Sequence, residues 1–216
     1  MKRLPVYLLI DTSGSMKGEP IESVRQGIDE MLSVLRNEMF SLNTVWMSII
    51  TYDREAKVLL PLTPVKDIVV PAITTPDSGP THTGAALEVL CSIVAEDRRM
   101  RGVDEDEDWM PLLFVLTDGK PSDTFVYEQA IPQVKRLGFG NIVACAAGPK
   151  AQTSHLQLLT ENVCKLSTMN SEMFKSFFKW VTAVISEDTQ GKAGVVPPPY
   201  RPVLPPPPPE IELCFL

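Results

Sequence analysis

Two apolar runs, residues 6–10 and 110–116, each stop within two residues of an aspartate and give way to small polar residues, reading VYLLIDTSGS and PLLFVLTDGK. Unbroken runs this short are the pattern of strands covered on both faces. Asp11 and Asp118 then stand at the C-terminal ends of strands, where open α/β sheets place their ligands. After Asp11, residues 13–15 read as a turn out of the sheet. Pro20 suits a first helical turn, because the N–H it lacks would be unpaired there anyway.

The rest of the chain alternates in the same way. Ile21, Val24, Ile28, Met31, Leu32 and Leu35 recur at three- and four-residue spacing and predict a helix down to about Arg36. Residues 44–52 and 56–62 read as strands joined by a polar connection short enough for a hairpin. A proline-containing connection over 64–80 leads to the loop GPTHTGAALEVL and a helix over 85–100. The charge run at 101–108, RGVDEDED, reads as a solvated loop. Beyond the second run the pattern predicts a helix over 125–137, a strand over 141–147, a short helix over 154–159, a strand over 163–166 and a last helix over 171–185. Strands alternating with helices imply a doubly wound, mostly parallel sheet with one antiparallel edge strand and helices on both faces.

This reading assigns residues 1–187 to one domain and 188–216 to a tail. Nine of the twenty prolines lie between 197 and 209, so the tail is expected to be polyproline II outside the core. Its apolar end, with Ile211, Leu213, Phe215 and Leu216, is expected to anchor in another protein or a second copy, and its removal to leave thermal stability unchanged.

Composition narrows the function classes. A net charge of −7 and a pI near 4.9, without a cluster of Lys and Arg, argue against a surface that tracks phosphates. The short apolar run after Met1-Lys2-Arg3 ends at Asp11 without a small-residue cleavage site, which argues against a signal peptide or membrane span and for the cytoplasm. Cys91, Cys145, Cys164 and Cys214 are scattered, with only two histidines to accompany them, so a zinc site is not expected. The first three lie in apolar segments and read as buried, reduced thiols.

Three loops carry oxygen donors: Asp11, Ser13 and Ser15 in the first, Thr81 and Thr83 in the second, Asp118 and Asp123 in the third. Meeting at one sheet edge, they would form a hard oxygen site for a small divalent cation, Mg²⁺ or Mn²⁺. With few charged ligands the ion would keep positive charge and attract an external carboxylate. Taken singly, Asp11, Ser13 and Ser15 read better as caps of the following helix, and only together with Thr81 and Asp118 do they favour a metal site.

The D-x-S-x-S at Asp11, Ser13 and Ser15, the THTG at 81–84 and the LTDG at 116–119 resemble the von Willebrand factor A (VWA) family, over roughly residues 4–185. That family calls the arrangement a metal-ion-dependent adhesion site (MIDAS). The resemblance implies that Ser13, Ser15 and Thr81 coordinate the ion directly, that Asp11 and Asp118 act largely through water, and that Thr83 supports them. It also implies a non-enzymatic interaction module whose protein partner supplies an Asp or Glu to the metal. More narrowly, RLPVYLLIDTSGSMKGEPI resembles bacterial tellurium-resistance VWA proteins of the TerY type, which implies an adaptor in a tellurite or stress response with a protein kinase and a PP2C-like phosphatase.

Enzyme motifs are absent. There is no G-x-S-x-G elbow and no G-x-x-x-x-G-K loop, and GFGNIV at 138–143 precedes a strand instead of following one. The rival class is a Mg²⁺-dependent phosphoryl-transfer enzyme using Asp11 as nucleophile. Ser13 stands where haloacid-dehalogenase-type phosphatases need a second aspartate.

Overall fold

In the computed structural model, which describes residues 2–101, 107–149, 151–192 and 204–214, side chains along the first strand divide between two cores. Leu4, Val6, Leu8 and Ile10 enter one, and Tyr7 and Leu9 the other. Alternation with every residue buried is what a central strand of a two-sided sheet requires. The strands are β1 (Leu4–Asp11), β2 (Val45–Tyr52), β3 (Ala56–Pro64), β4 (Leu112–Thr117), β5 (Asn141–Ala147), β6 (Asn162–Leu166) and β7 (Ile211–Cys214). They form one sheet in the order β3-β2-β1-β4-β5-β6-β7. The five inner strands are parallel, and β3 and β7 run antiparallel to them.

Among the described residues six helices cover the faces: α1 (Glu19–Asn37), α2 (Met39–Thr44), α3 (Thr83–Met100), α4 (Thr124–Arg136), α5 (Thr153–Leu159) and α6 (Ser171–Lys192). α1 and α6 pack on one face, and α3, α4 and α5 on the other. The doubly wound α/β architecture is therefore the one expected from the sequence. The whole predicted stripe of α1 is buried. At Gly27 an added Cβ would lie 2.2 Å from the Phe178 ring, so the missing side chain lets α1 and α6 approach closely.

Two features of the first core were not anticipated. α2 is too short to show a period. α6 runs seven residues past the expected end at 185, because its last turns bury polar groups that interrupt the apolar pattern. Ser186 Oγ donates to Glu38 Oε2 at 2.7 Å, as Ser41 Oγ does at 2.9 Å, and Thr189 lies 3.3 Å from Ser41. Here α2 and the end of α6 are joined by hydroxyls instead of apolar side chains.

The expected acidic loop at 101–108 falls largely outside the described residues. Its last member, Asp108, accepts from Arg3 at 2.9 and 2.7 Å and also pairs with Arg101. All four cysteines are free thiols; Cys145 and Cys164 are buried, whereas Cys91 is only half-buried.

The tail departs most from expectation. Residues 204–214 do not leave the domain. β7 pairs with β6 from Leu166↔Ile211 to Val163↔Cys214, which gives the sheet a second antiparallel edge. Ile211 is buried, Leu204 and Leu213 pack against the first core, and the Trp180 indole N–H donates to the Pro205 carbonyl at 2.9 Å. An anchor for a separate protein is thus replaced by an anchor on the chain's own domain, for the ordinary reason that an open edge and an apolar segment on one chain find each other. Phe215 and Leu216 lie outside the described residues.

Deleting everything after Lys192 should therefore destabilise the domain. Lost burial of Ile211 and its neighbours together with the Trp180 hydrogen bond amounts to about 2–4 kcal/mol. The truncated chain should melt roughly 5–15 °C below the full chain in a thermal scan followed by circular dichroism.

Candidate metal centre

β1 lies between β2 and β4, so successive connections leave it in opposite directions and a crevice opens at its C-terminal end. Register does the rest. Ile10 is opposite Leu116 on β4 and Asp11 is opposite Tyr52 on β2. Three strand ends, and the loops that follow two of them, meet at one point.

Asp11 is 0% exposed. Its Oδ1 accepts the Ser13 N–H at 2.8 Å and its Oδ2 accepts the Thr117 hydroxyl at 2.7 Å. The Gly119 N–H in turn donates to Thr117 Oγ1 at 3.2 Å, so one hydroxyl ties both loops to the same carboxylate. Burial, the largest influence, pushes the Asp11 carboxyl up to about 6; the hydrogen bonds from Thr117 and Ser13 oppose this, and the nearby charge of Asp118 adds to it. The ionised form thus carries a folding penalty that is absent below its ordinary carboxylate range, grows as pH rises toward 6 and is complete above it, on the order of 3 kcal/mol.

The first loop is fixed from below by Met16, fully buried, whose N–H closes a turn on the Ser13 carbonyl at 2.9 Å. Ser13 is buried and Ser15 exposed, with their hydroxyl oxygens 3.2 Å apart. A Cβ on Gly14 would come 2.7 Å from Ser78 Cα, so this glycine is required by close approach of the second loop. Thr81, also buried, is held by its N–H to Ser122 Oγ (3.1 Å) and its carbonyl from the Ser122 N–H (2.8 Å). Its own Oγ1 lies 3.6 Å from the position a Cβ would take on Gly119, which places that hydroxyl beside the residue after Asp118.

The sequence candidates thus fall into two groups. Asp11, Ser13 and Ser15 are tied together within the first loop, the charge of Asp118 acts on Asp11, and Thr81 Oγ1 lies beside Gly119. Asp123 does not join them: its two carboxylate oxygens accept the Gly84 N–H at 3.1 Å and the Ala85 N–H at 2.9 Å, capping α3 from a neighbouring loop. Thr83 is buried beside the Tyr52 hydroxyl, which donates to the Leu116 carbonyl at 3.1 Å. His82 stays at the rim, with its ring against the Arg54 carbonyl at 2.8 Å. Thr117, Tyr52 and Ser122 were missed by the sequence reading. Thr117 alone had a legible signal, its place beside Asp118 at a strand end.

The donor set suits a hard divalent cation. Among the described residues no Lys, Arg or His pairs with Asp11 or Asp118, although both carboxylates are buried. Neighbouring ligands of an octahedral Mg²⁺ stand about 2.9 Å apart, close to the Ser13–Ser15 separation. Among the described residues no group of three or more His, Cys, Asp or Glu forms a metal cluster, so hydroxyls must supply most of the coordination.

Comparison with known proteins shows the family and the fold. The family model of the von Willebrand factor type A domain matches residues 6–179. No curated protein matches the chain. Among solved structures, proximal thread matrix protein 1 from the mussel byssus, with a zinc-occupied MIDAS motif, superposes with a TM-score of 0.64 at 15% identity, covering 86% of this chain and 48% of that one. The pilus adhesin SpaC of Lactobacillus rhamnosus GG, in its open conformation, gives 0.67 at 13% identity, covering 88% and 30%. A von Willebrand factor type A protein from Catenulispora acidiphila gives 0.59 at 15% identity, covering 86% and 43%. The chain spans about half or less of the length of each, and at these identities the likeness is one of fold.

Asp123→Ala should separate cap from ligand. Losing acceptors for two backbone N–H groups should lower stability by about 1–2 kcal/mol in denaturant titration, while Mg²⁺ affinity by calorimetry changes less than about threefold.

Proposed function

The chain belongs to the von Willebrand factor type A domain family, and from that membership we propose that it is a metal-dependent protein-interaction module whose partner completes the ion's coordination with an Asp or Glu side chain. VWA domains bind protein ligands through MIDAS motifs and are usually non-catalytic. The observation that carries the proposal is the pair of buried carboxylates, Asp11 and Asp118, without a cationic side chain paired to either among the described residues, beside hydroxyls spaced for adjacent coordination.

Each residue then has a task. Ser13, Ser15 and Thr81 would hold Mg²⁺ or Mn²⁺ through their hydroxyls, and Asp11 and Asp118 would act on it largely through water. Thr117 orients Asp11, and Ser122 orients Thr81. A cation bound there would supply Lewis acidity toward a partner's carboxylate. Exposed Ser15 marks the accessible side. Because the directly coordinating groups would be uncharged hydroxyls, a partner's carboxylate would meet the ion's own positive charge, opposed only by the two carboxylates acting largely through water.

The resemblance of residues 3–21 to TerY-type proteins supports the finer reading: a cytoplasmic adaptor in a tellurite or related stress response, working with a protein kinase and a PP2C-like phosphatase. Among the described residues no helix is long and apolar enough to cross a membrane. A phosphoryl-transfer role for Asp11 fits less well, because both its oxygens already accept hydrogen bonds and the side chain is inaccessible to a substrate phosphorus.

Calorimetry with Mg²⁺ and Mn²⁺ tests the site. Asp11→Ala and Asp118→Ala should each abolish binding, at least a hundredfold, with the circular dichroism spectrum retained. Unchanged affinity in both overturns the metal-site reading. A partner captured from the source cell should be released by EDTA and lost with Thr81→Ala; one that survives both binds another surface.

A further inference from the structure

We infer that the proline stretch at 205–209, held on the domain by Trp180 and β7, presents its outward ridge, Pro206 and Pro209, as a fixed polyproline ligand for a protein domain with an aromatic-lined groove. The contact does not involve the metal centre.

Composition dictates the conformation of the stretch. Leu204 and Pro205 to Pro208 each precede a proline, and a proline ring fixes its own φ while pushing the residue before it toward extended ψ. The backbone is therefore polyproline II, with three residues per turn and a rise of about 3.1 Å, so residues three apart share a ridge about 9 Å from one another. Exposure follows that period. Pro206 and Pro209 are exposed, whereas Pro205, Pro207 and Pro208 are half-buried.

The carbonyls divide in the same way. The Trp180 indole N–H donates to the Pro205 carbonyl at 2.9 Å, and the Ile211 N–H donates to the Pro208 carbonyl at 2.9 Å. These two are three apart, so the domain uses one ridge of the stretch. Among the described residues nothing donates to the carbonyls of Pro206 and Pro207. Proline has no N–H, so a partner cannot pair with this stretch as a strand and must read it through rings and acceptors.

That requirement defines the partner. Apolar pyrrolidine rings about 9 Å apart, with free carbonyls between them, fit aromatic side chains that also carry an indole N–H or phenolic O–H, the way SH3 and WW grooves read polyproline. Trp180 already makes this kind of contact from the inner side. Glu210 is exposed at the end of the ridge, so a Lys or Arg at that end of the groove complements it. The stretch is also held at both ends, by Trp180 at Pro205 and by the pairing of β7 with β6 from Ile211 onward. Being ordered beforehand, it loses less conformational entropy on binding than a free proline-rich peptide does. β7 stays on β6 throughout, and the partner takes the face turned away from the domain.

The probes are isotope-labelled WW and SH3 domains that bind polyproline, titrated with the full chain and followed by nuclear magnetic resonance. Saturating shift changes at the groove aromatics of at least one domain are expected, with the full chain binding about threefold or more tighter than a synthetic peptide of residues 204–210. Substituting Pro206→Ala and Pro209→Ala together should weaken binding about fivefold or more and leave the melting temperature of the chain unchanged. EDTA should not alter the affinity. Absence of binding to either class of domain, a peptide that binds at least as tightly as the chain, or release by EDTA overturns the inference. The comparison of chain with peptide decides the matter even if the double variant is destabilised.

Discussion

The structure turns on the parallel pairing of β1 with β4 at the centre of the sheet. That pairing joins two strands separated by about a hundred residues and brings Asp11 beside the loop that carries Asp118. A carboxylate buried at the end of a core strand is expensive unless it is hydrogen-bonded and met by positive charge. Ser13 and Thr117 supply the hydrogen bonds. A cation held by the loop hydroxyls would supply the charge, so the feature that strains the fold in isolation is the one that makes a metal centre reasonable.

The loops around this point support one another in sequence. Thr117 is hydrogen-bonded to both Asp11 and Gly119, Ser122 grips Thr81, Asp123 caps α3, and Gly14 lets the first loop lie against Ser78. Side chains that ligate an ion must be held within a fraction of an ångström, and here hydrogen bonds between loops do the holding. A site assembled from hydroxyls retains the ion's charge, which suits recognition of a carboxylate more than activation of a nucleophile.

The sheet also has two edges to protect. At β3 the protection is built in: Pro61 and Pro64 withhold N–H donors, and register shifts along β2 and β3 bend the ladder. At β6 it comes from elsewhere in the chain, through β7 and the proline stretch across Trp180.

From the sequence alone, the doubly wound class, the central strands and the loops that carry the candidate donors Asp11, Ser13, Ser15, Thr81 and Asp118 were legible, because fully apolar runs and short loop motifs are local signals. The extra turns of α6 were hidden because Ser186 and Thr189 are buried through hydroxyl contacts that no apolar period records. Asp123 looked like a ligand because its partners, the Gly84 and Ala85 amides, lie some forty residues away in sequence. The proline-rich segment looked like a free tail for the same reason. Its composition forbids a helix and a central strand, but whether it is solvated or docked depends on the open edge of β6 and on Trp180, neither of which exists until the domain has folded. Local pattern determined which residues become strands, helices and donors. Only the tertiary structure decided what each meets, because hydrogen-bond partners and edge closure are properties of surfaces brought together from distant parts of the chain.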